Sequence, residues 1–446
     1  WQAALFRYHA RGRSDDVRLD RARRNTVIKR LRQLGITGAF IAVTTLFFGW
    51  GFISSNNDPL IVALRAAFQL NYSQALQIQL VSFLANALMS LPAAALGNRL
   101  GPVNTTLAAL GVMIGGCLLV RLGLGAQSYP AVLGALFVLA LGITTLQVSA
   151  NPLAAALGPP RTSHFRLSFA QTFNSLGVVV GVNYGASIML GDEVMKAGQG
   201  RIEGTAERAE VLLAVDQAFV SMALMLALLA IFFLLQRRRI SAAAAAIPQV
   251  SGASVAQALR SRWVICGAGA IALYVGAEVS IGSIMIAFLH QRGIMGLPLE
   301  LGGFYLANLY WGGALVGRFI GSILLTRVSA ARLLLVCAGM AAALCLVAVA
   351  GLGPLSGWAT LAVGLFNSIM FPTIFSLTLE RSGASHSSTA GVLVLAISLG
   401  AALPFLVGRL ADSASLALAF VVPAAAYCVI GLFAQRAATG EPRRTA

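Results

Sequence analysis

Long apolar runs alternate with short polar connections along nearly the whole chain. Twelve can be placed, at residues 35–68, 74–97, 104–122, 129–157, 165–190 and 211–236, then at 263–289, 301–326, 331–352, 355–380, 387–407 and 415–435. Each is close to or above the roughly twenty apolar residues with which a helix crosses a bilayer. The pattern predicts an all-α integral membrane protein with twelve transmembrane helices in two six-helix bundles, residues 35–236 and 263–435. Between and around them lie a basic tail (1–34), a linker (237–262) with room for a short surface helix, and a C-terminal tail (436–446). A β-barrel does not fit, because barrel strands alternate over only about ten residues.

The first run is interrupted in its middle by Ser54, Ser55, Asn56, Asn57 and Asp58, followed by Pro59. Proline lacks an N–H and disfavours helical geometry in the residue before it, so a break at Asp58 is expected. Free backbone groups at this depth are tolerated only where they line a cavity. The stretch reads as one wall of an internal binding site.

Composition agrees with the pattern. Of 446 residues 58% are hydrophobic and 11% charged, with a mean hydropathy of +0.81. Soluble domains carry about 25% charged residues. The net charge of +17 raises a nucleic-acid partner, but its distribution excludes one. Ten of the 32 Lys and Arg precede Leu34, and most others fall in alternate connections. With the amino terminus inside, 25 lie on the cytosolic side and seven outside, as the positive-inside rule requires. Both termini are thus expected in the cytosol. The five cysteines are scattered through apolar runs without a CxxC pair, and residues 1–33 lack an apolar core of signal length. No HExxH, GxSxG or phosphate-binding glycine loop is present, so neither an enzyme, a metal site nor a cofactor is expected.

Six spans, a basic linker and six more imply a duplicated transporter architecture, with substrate near the midplane between the halves. Of fifteen acids, only Asp58 and Glu278 sit well inside an apolar run. Glu278 lies about 22 Å from the inner end of its helix at the α-helical rise. An intramembrane carboxylate faces a cavity or a partner. Both are read as groups for ion or substrate work; the alternatives are a carboxylate that bonds a broken helix end at Asp58 and one that locks two helices together at Glu278. Amides cluster as well: Asn56 and Asn57, Gln147 and Asn151, Gln171 and Asn174, Asn308 and Asn367. Amides donate and accept, which suits a polyhydroxylated ligand, although they also tie helices together. The spacings 147/151 and 171/174 put each pair on one helix face. Trp50, Tyr274, Tyr310 and Trp311 can stack on a ring or simply pack.

Several blocks resemble the fucose–galactose–glucose:proton symporter family of the major facilitator superfamily. They are Asn57-Asp58, Ala150-Asn151-Pro152, His164-Phe165-Arg166-Leu167 with Ala170-Gln171-Thr172-Phe173-Asn174-Ser175, Tyr274-Val275-Gly276-Ala277-Glu278, and Phe371-Pro372-Thr373-Ile374-Phe375-Ser376. The likeness implies sugar uptake by alternating access, with Asp58 matching an aspartate important for sugar binding and transport. Gln171 and Asn174 match positions lining the family's sugar cavity. Fucose-carrying members have a glutamate where this chain has Gln147 and a glutamine where it has Glu278. Members resembling glucose, galactose or N-acetylglucosamine carriers look like this chain at both. The basic connection Gly97–Pro102 is echoed by Gly317-Arg318-Phe319 to Arg327, with Asn98 and Thr326 where the superfamily's pattern usually has an acid.

The expectation is a secondary active hexose transporter of a bacterial-type cytoplasmic membrane, coupled to a proton or to sodium and working as a monomer. Asp58 and Glu278 are the expected ion-coupling residues. Asn57, Asp58, Gln147, Asn151, Gln171, Asn174, Tyr274 and Glu278 are the expected sugar-binding ones. The alternatives are a proton-driven exporter of small molecules, or a receptor or enzyme on the same scaffold.

Overall fold

The computed structural model describes residues 38–70, 72–75, 77–190, 204–245 and 254–439. Among the described residues every regular element is helical, and twelve helical spans follow one another. Helices meet their own backbone hydrogen bonds, which hydrocarbon cannot supply.

The first span, Gly38–Ala67, breaks into Gly38–Ser55 and Asn57–Ala67. The break thus falls at Asn56, two residues before the position expected from sequence. The reason is local. Pro59 is the third residue of the second segment, where its missing N–H would have had no intrahelical partner in any case. The turn therefore comes ahead of it. The Asn56 N–H bonds back to Ile53 O (3.2 Å), and Phe52 O instead accepts from Asn56 Nδ2 (2.6 Å).

The second and third spans form one segment, Gln77–Gly125, turned at Gly101 (φ 76°, ψ 163°). Only glycine adopts this conformation readily, so the connection expected here contracts to a single hinge residue. Tyr129–Ala156 and Ser163–Met189 are the fourth and fifth spans. In the first turn of the fifth, Arg166 is fully buried and donates to Pro159 O (2.9 Å), Thr162 Oγ1 (2.7 Å), Ala154 O (3.4 Å) and Ala155 O. A guanidinium meets the free carbonyls at a helix C-terminus and its negative dipole end. The sixth span, Thr205–Ala244, continues as helix through Arg237, Arg238 and Arg239, so part of the expected linker is helical. A short helix, Val255–Arg260, precedes the seventh span, Arg262–His290.

The eighth span is not uniform. Leu299–Tyr305 and Gly312–Leu324 flank a π-helical turn, Leu306–Trp311. Arg318 stands inside the last of these helices, within the run 301–326 expected from sequence. The remaining spans are Ala330–Val349, Pro354–Arg381 (broken after Asn367), His386–Ser413 and Leu416–Thr439.

Glycines set the closest crossing in the first half. A Cβ on Gly177 or Gly181 of the fifth span would overlap backbone of Phe48 or Phe52 in the first, and one on Gly51 would overlap Asn174. Such small residues let membrane helices approach and gain dispersion contacts. The two halves meet along a seam whose polar contacts begin at the end carrying Val255–Arg260, called here the linker end. Asn98 donates to Ser388 Oγ (2.8 Å) and accepts from Ser385 (2.9 Å), while His164 meets Ser376 Oγ (2.7 Å) and Glu380 (3.2 Å).

Gly177→Val is expected to destabilise the protein by about 1–3 kcal/mol through overpacking. Gly111→Val, where a Cβ meets nothing within 4 Å, should leave stability near wild type. Thermal unfolding in detergent checks the contrast, and equal unfolding temperatures for both variants would contradict the glycine crossing.

Candidate functional site

An open cavity of about 330 Å³ is lined by the first, second and fourth spans, with Ile397 of the eleventh opposite. Its polar groups come from Ser54 and Asn57 beside the helix break, Gln79, Ser82 and Asn86 on the second span, and Thr144 and Gln147 on the fourth. Ser54 and Asn57 flank the point where the helix opens, so the break that Pro59 enforces turns polar side chains inward. Three buried oxygens on this wall, Ser54 Oγ, Asn86 Oδ1 and Gln147 Oε1, have no hydrogen-bond partner. Buried polar atoms are rarely left unpaired, and each costs about 1–3 kcal/mol. A hydroxyl-bearing ligand satisfies all three types. A second groove, between the fifth and eighth spans, has a wholly apolar lining and offers a polar ligand nothing.

Behind Gln147 the amides are already paired. Gln171 Nε2 donates to Asn151 Oδ1 (3.1 Å), and Asn151 Nδ2 donates to Gln147 O (3.0 Å). Both side chains are buried, so they brace the fourth and fifth spans and fix the turn that carries Gln147. Asn174 points elsewhere. Its Nδ2 donates to Phe47 O of the first span (3.1 Å), and the residue is not part of the cavity lining.

The second half holds a separate polar cluster. Tyr274 donates to Glu278 Oε1 (2.7 Å), Asn367 Nδ2 donates to Tyr310 OH (3.0 Å), and Tyr310 OH reaches Glu278 O (3.4 Å). Tyr310 is fully buried and engaged there, which excludes it as a stacking surface, and Trp311 is exposed. Asn308 is exposed and bonds back to Phe304 O (2.9 Å). Tyr274 and Glu278 thus pair with each other and do not border the first-half cavity. The backbone of Asp58 follows Asn57 at the helix break; its side chain lies outside those the structure describes.

The seam closes under the cavity. Asn86 Nδ2 donates to Val394 O (3.2 Å) and Ser398 Oγ (3.0 Å), and Ser398 donates to Phe83 O (3.2 Å). Ser398 lies twelve residues into the eleventh span, about 18 Å from the linker end at the helical rise. From there to Asn98 the halves are latched together, and the cavity lies on the other side of this contact. Arg318 adds a further tie. It donates to Ser368 O (2.9 Å) in its own half and to Gln171 O (3.4 Å) and Ser175 Oγ in the other.

Gln79, Ser82, Asn86 and Arg318 are absent from the sequence expectation. The first three had a legible signal, a polar stripe at helical spacing inside an apolar run. Arg318 had one as well, a cation inside the run 301–326, but its partners on the fifth and tenth spans are not readable from sequence.

Residues 39–403 match the family described as Major Facilitator Superfamily. A glucose/galactose transporter of Brucella abortus is 39% identical over 89% of this chain and 93% of its own length. A putative glucose/galactose transporter of Helicobacter pylori is 32% identical over 89% of this chain and 96% of its own. Among solved structures, the transporter FucP in the outward conformation superposes with a TM-score of 0.79 at 26% identity, covering 90% of this chain and 99% of that one. With twelve spans in two halves, a polar cavity between helices and these likenesses, the chain belongs to the major facilitator superfamily.

Proposed function

We propose that the chain takes up a hexose such as glucose or galactose together with a proton, and that the described conformation faces outward. One observation carries the reading: a cavity at the lower end of small-molecule site volumes whose wall presents Ser54, Asn86 and Gln147 with unpaired buried oxygens. Sugar hydroxyls donate and accept, so they meet such a wall where an ion alone would not. The names of the Brucella and Helicobacter relatives support the same class of substrate. The cavity is built by one chain, in keeping with a functional monomer.

Orientation follows from charge. Arg99, Arg161, Arg237–Arg239, Arg260, Arg262, Arg327, Arg332, Arg381 and Arg436 gather at the linker end, which supports that end, and both termini, as cytosolic. The membrane is then the cytoplasmic membrane of a bacterial-type cell. In this frame the latched seam bars the cytosol while the cavity opens outward. Asp58, beside the sugar wall, and Glu278, in the other half, are the coupling carboxylates. Gln171 and Asn151 hold Gln147 in place, and Asn174 fixes the first span against the fifth.

Reconstituted in sealed liposomes, the protein should accumulate labelled glucose under an imposed inward proton gradient, with unlabelled hexoses competing. Asp58→Asn should abolish that accumulation. Uptake driven by a sodium gradient alone would reassign the ion, and full proton-driven uptake by Asp58→Asn would remove Asp58 from coupling.

Gln147→Met removes an unpaired acceptor, so the unfolding temperature should stay equal or rise while glucose no longer raises it. Asn151→Ala strands its partner Gln171 and should cost about 1–3 kcal/mol. Unfolding scans with and without glucose test both, and a marked destabilisation by Gln147→Met would contradict a ligand-facing role.

A further inference from the structure

Arg121 pairs with Asp216 inside the first half, whereas His164 pairs with Glu380 across the seam. His164 stands in the first turn of the fifth span, its side chain 13% exposed. Its Nδ1 lies 2.7 Å from Ser376 Oγ and its Nε2 3.2 Å from Glu380 Oε2. Ser376 and Glu380 are one turn apart on the tenth span, so one helix face of the second half takes both ring nitrogens. Of the described acids Glu380 alone lies at the linker end, where arginines otherwise gather. Cations on the elements packed here are directed elsewhere or stand on the connection. Arg166 is held by the end of the fourth span, which itself carries no charge, and Arg161 lies in the turn before the fifth. Arg381 lies over the Trp263 ring (5.3 Å), Arg237 of the sixth span bonds Asn104 (2.9 Å), and Arg318 of the eighth bonds Ser368 O (2.9 Å). Asp58 and Arg65 of the first span lie toward its other end.

Counting donors fixes the state of the ring that this contact fits. Ser376 has one hydroxyl proton, and it points back along its own helix to Pro372 O (2.7 Å). Toward His164 the serine therefore offers a lone pair, and Nδ1 has to donate. A carboxylate only accepts, so Nε2 has to donate as well. An imidazole with a proton on both nitrogens is the cation. The neutral ring always gives something up. With its proton on Nδ1, the Nε2 lone pair confronts the Glu380 carboxylate; with its proton on Nε2, Ser376 must abandon Pro372 O to serve Nδ1. The closed seam is thus fitted to imidazolium. Opening parts the fifth span from the tenth, and both partners leave with the other half.

We propose that His164 is a proton-binding site at the cytosolic face, separate from the coupling carboxylates, and that a proton bound there holds the seam shut. This rests on the reading above of the linker end as cytosolic. A proton from cytosolic water forms the second N–H bond of the ring, and the cation bridges Ser376 and Glu380. A ligand that binds one of two states better shifts the population toward it, and here the ligand is the proton and the state is the closed seam. Histidine is the side chain that changes charge between pH 5 and 8. A carrier that brings protons in with its sugar is thereby slowed by the acid it delivers.

The test is the distance between nitroxide labels at Arg238→Cys on the sixth span and Arg332→Cys on the ninth, exposed positions at the linker end of either half. It uses the full chain with its five cysteines replaced by alanine, without sugar or gradient. The fraction at the longer, seam-open distance should fall about threefold or more from pH 8 to pH 6, the size of one part-exposed ion pair. In His164→Gln and in Glu380→Gln that fraction should be the same at both pH values. A fraction independent of pH with His164 and Glu380 in place, or an undiminished fall in either variant, overturns the proposal. A second measurement keeps the native cysteines: glucose influx into proteoliposomes at fixed external pH, with the interior at pH 8 or pH 6. Internal protons oppose the coupled step equally in wild type and His164→Gln, so the wild type should lose about threefold more of its rate than the variant. Equal losses overturn the latch and leave the symport reading intact. No proton-dependent influx by the wild type overturns the symport reading, while the distance measurement still decides the latch.

Discussion

Inside hydrocarbon a polar atom has no water to turn to, so it is paired by the protein or by what the protein carries. That constraint sorts the polar residues of this chain more sharply than any motif does. Arg166 spends its donors on the end of the fourth span. Asn151 and Gln171 satisfy each other, and Asn174 satisfies the first span. Tyr274 serves Glu278, and Asn367 serves Tyr310. What remains unpaired on the cavity wall is Ser54, Asn86 and Gln147, on three different spans facing one space. Three of the atoms that folding leaves without a hydrogen bond thus belong to residues that line one polar cavity.

The same constraint shapes the seam between the halves. Its contacts are small and polar, with serine, asparagine and histidine at the linker end and an amide–hydroxyl–carbonyl relay at mid-depth. Individual interhelical hydrogen bonds in membranes are worth well under about 2 kcal/mol, so a seam of this kind can close firmly and still open. Asn86 belongs to both systems. Its Nδ2 closes the seam on Ser398, while its Oδ1 is buried without a partner and the residue lines the cavity. A ligand on the cavity wall is thus one residue away from the contact that separates the two faces of the membrane.

Much of this was legible in the sequence. Twelve apolar runs gave the spans, and paired amides pointed to the contact between the fourth and fifth. The residues that were misread share a physical cause. Asn174 follows Gln171 by three positions, which on a helix is some 60° of rotation. That is enough to send one amide to the fourth span and the other to the first. Spacing reports a shared face, not a shared neighbour. Likewise the break at Asn56 depends on which position of the new helix Pro59 occupies, and the partners of Arg318 became visible only when the fifth and tenth spans came to either side of it. Packing between distant spans decides such questions, and a single sequence does not contain it.

The central claim is that sugar and proton cross together. The most direct test adds glucose to lightly buffered proteoliposomes, made permeable to charge and with no imposed gradient, and follows external pH. The account predicts prompt alkalinisation outside as protons enter with the sugar, abolished by Asp58→Asn. Glucose entering at an undiminished rate with no change in external pH would contradict it.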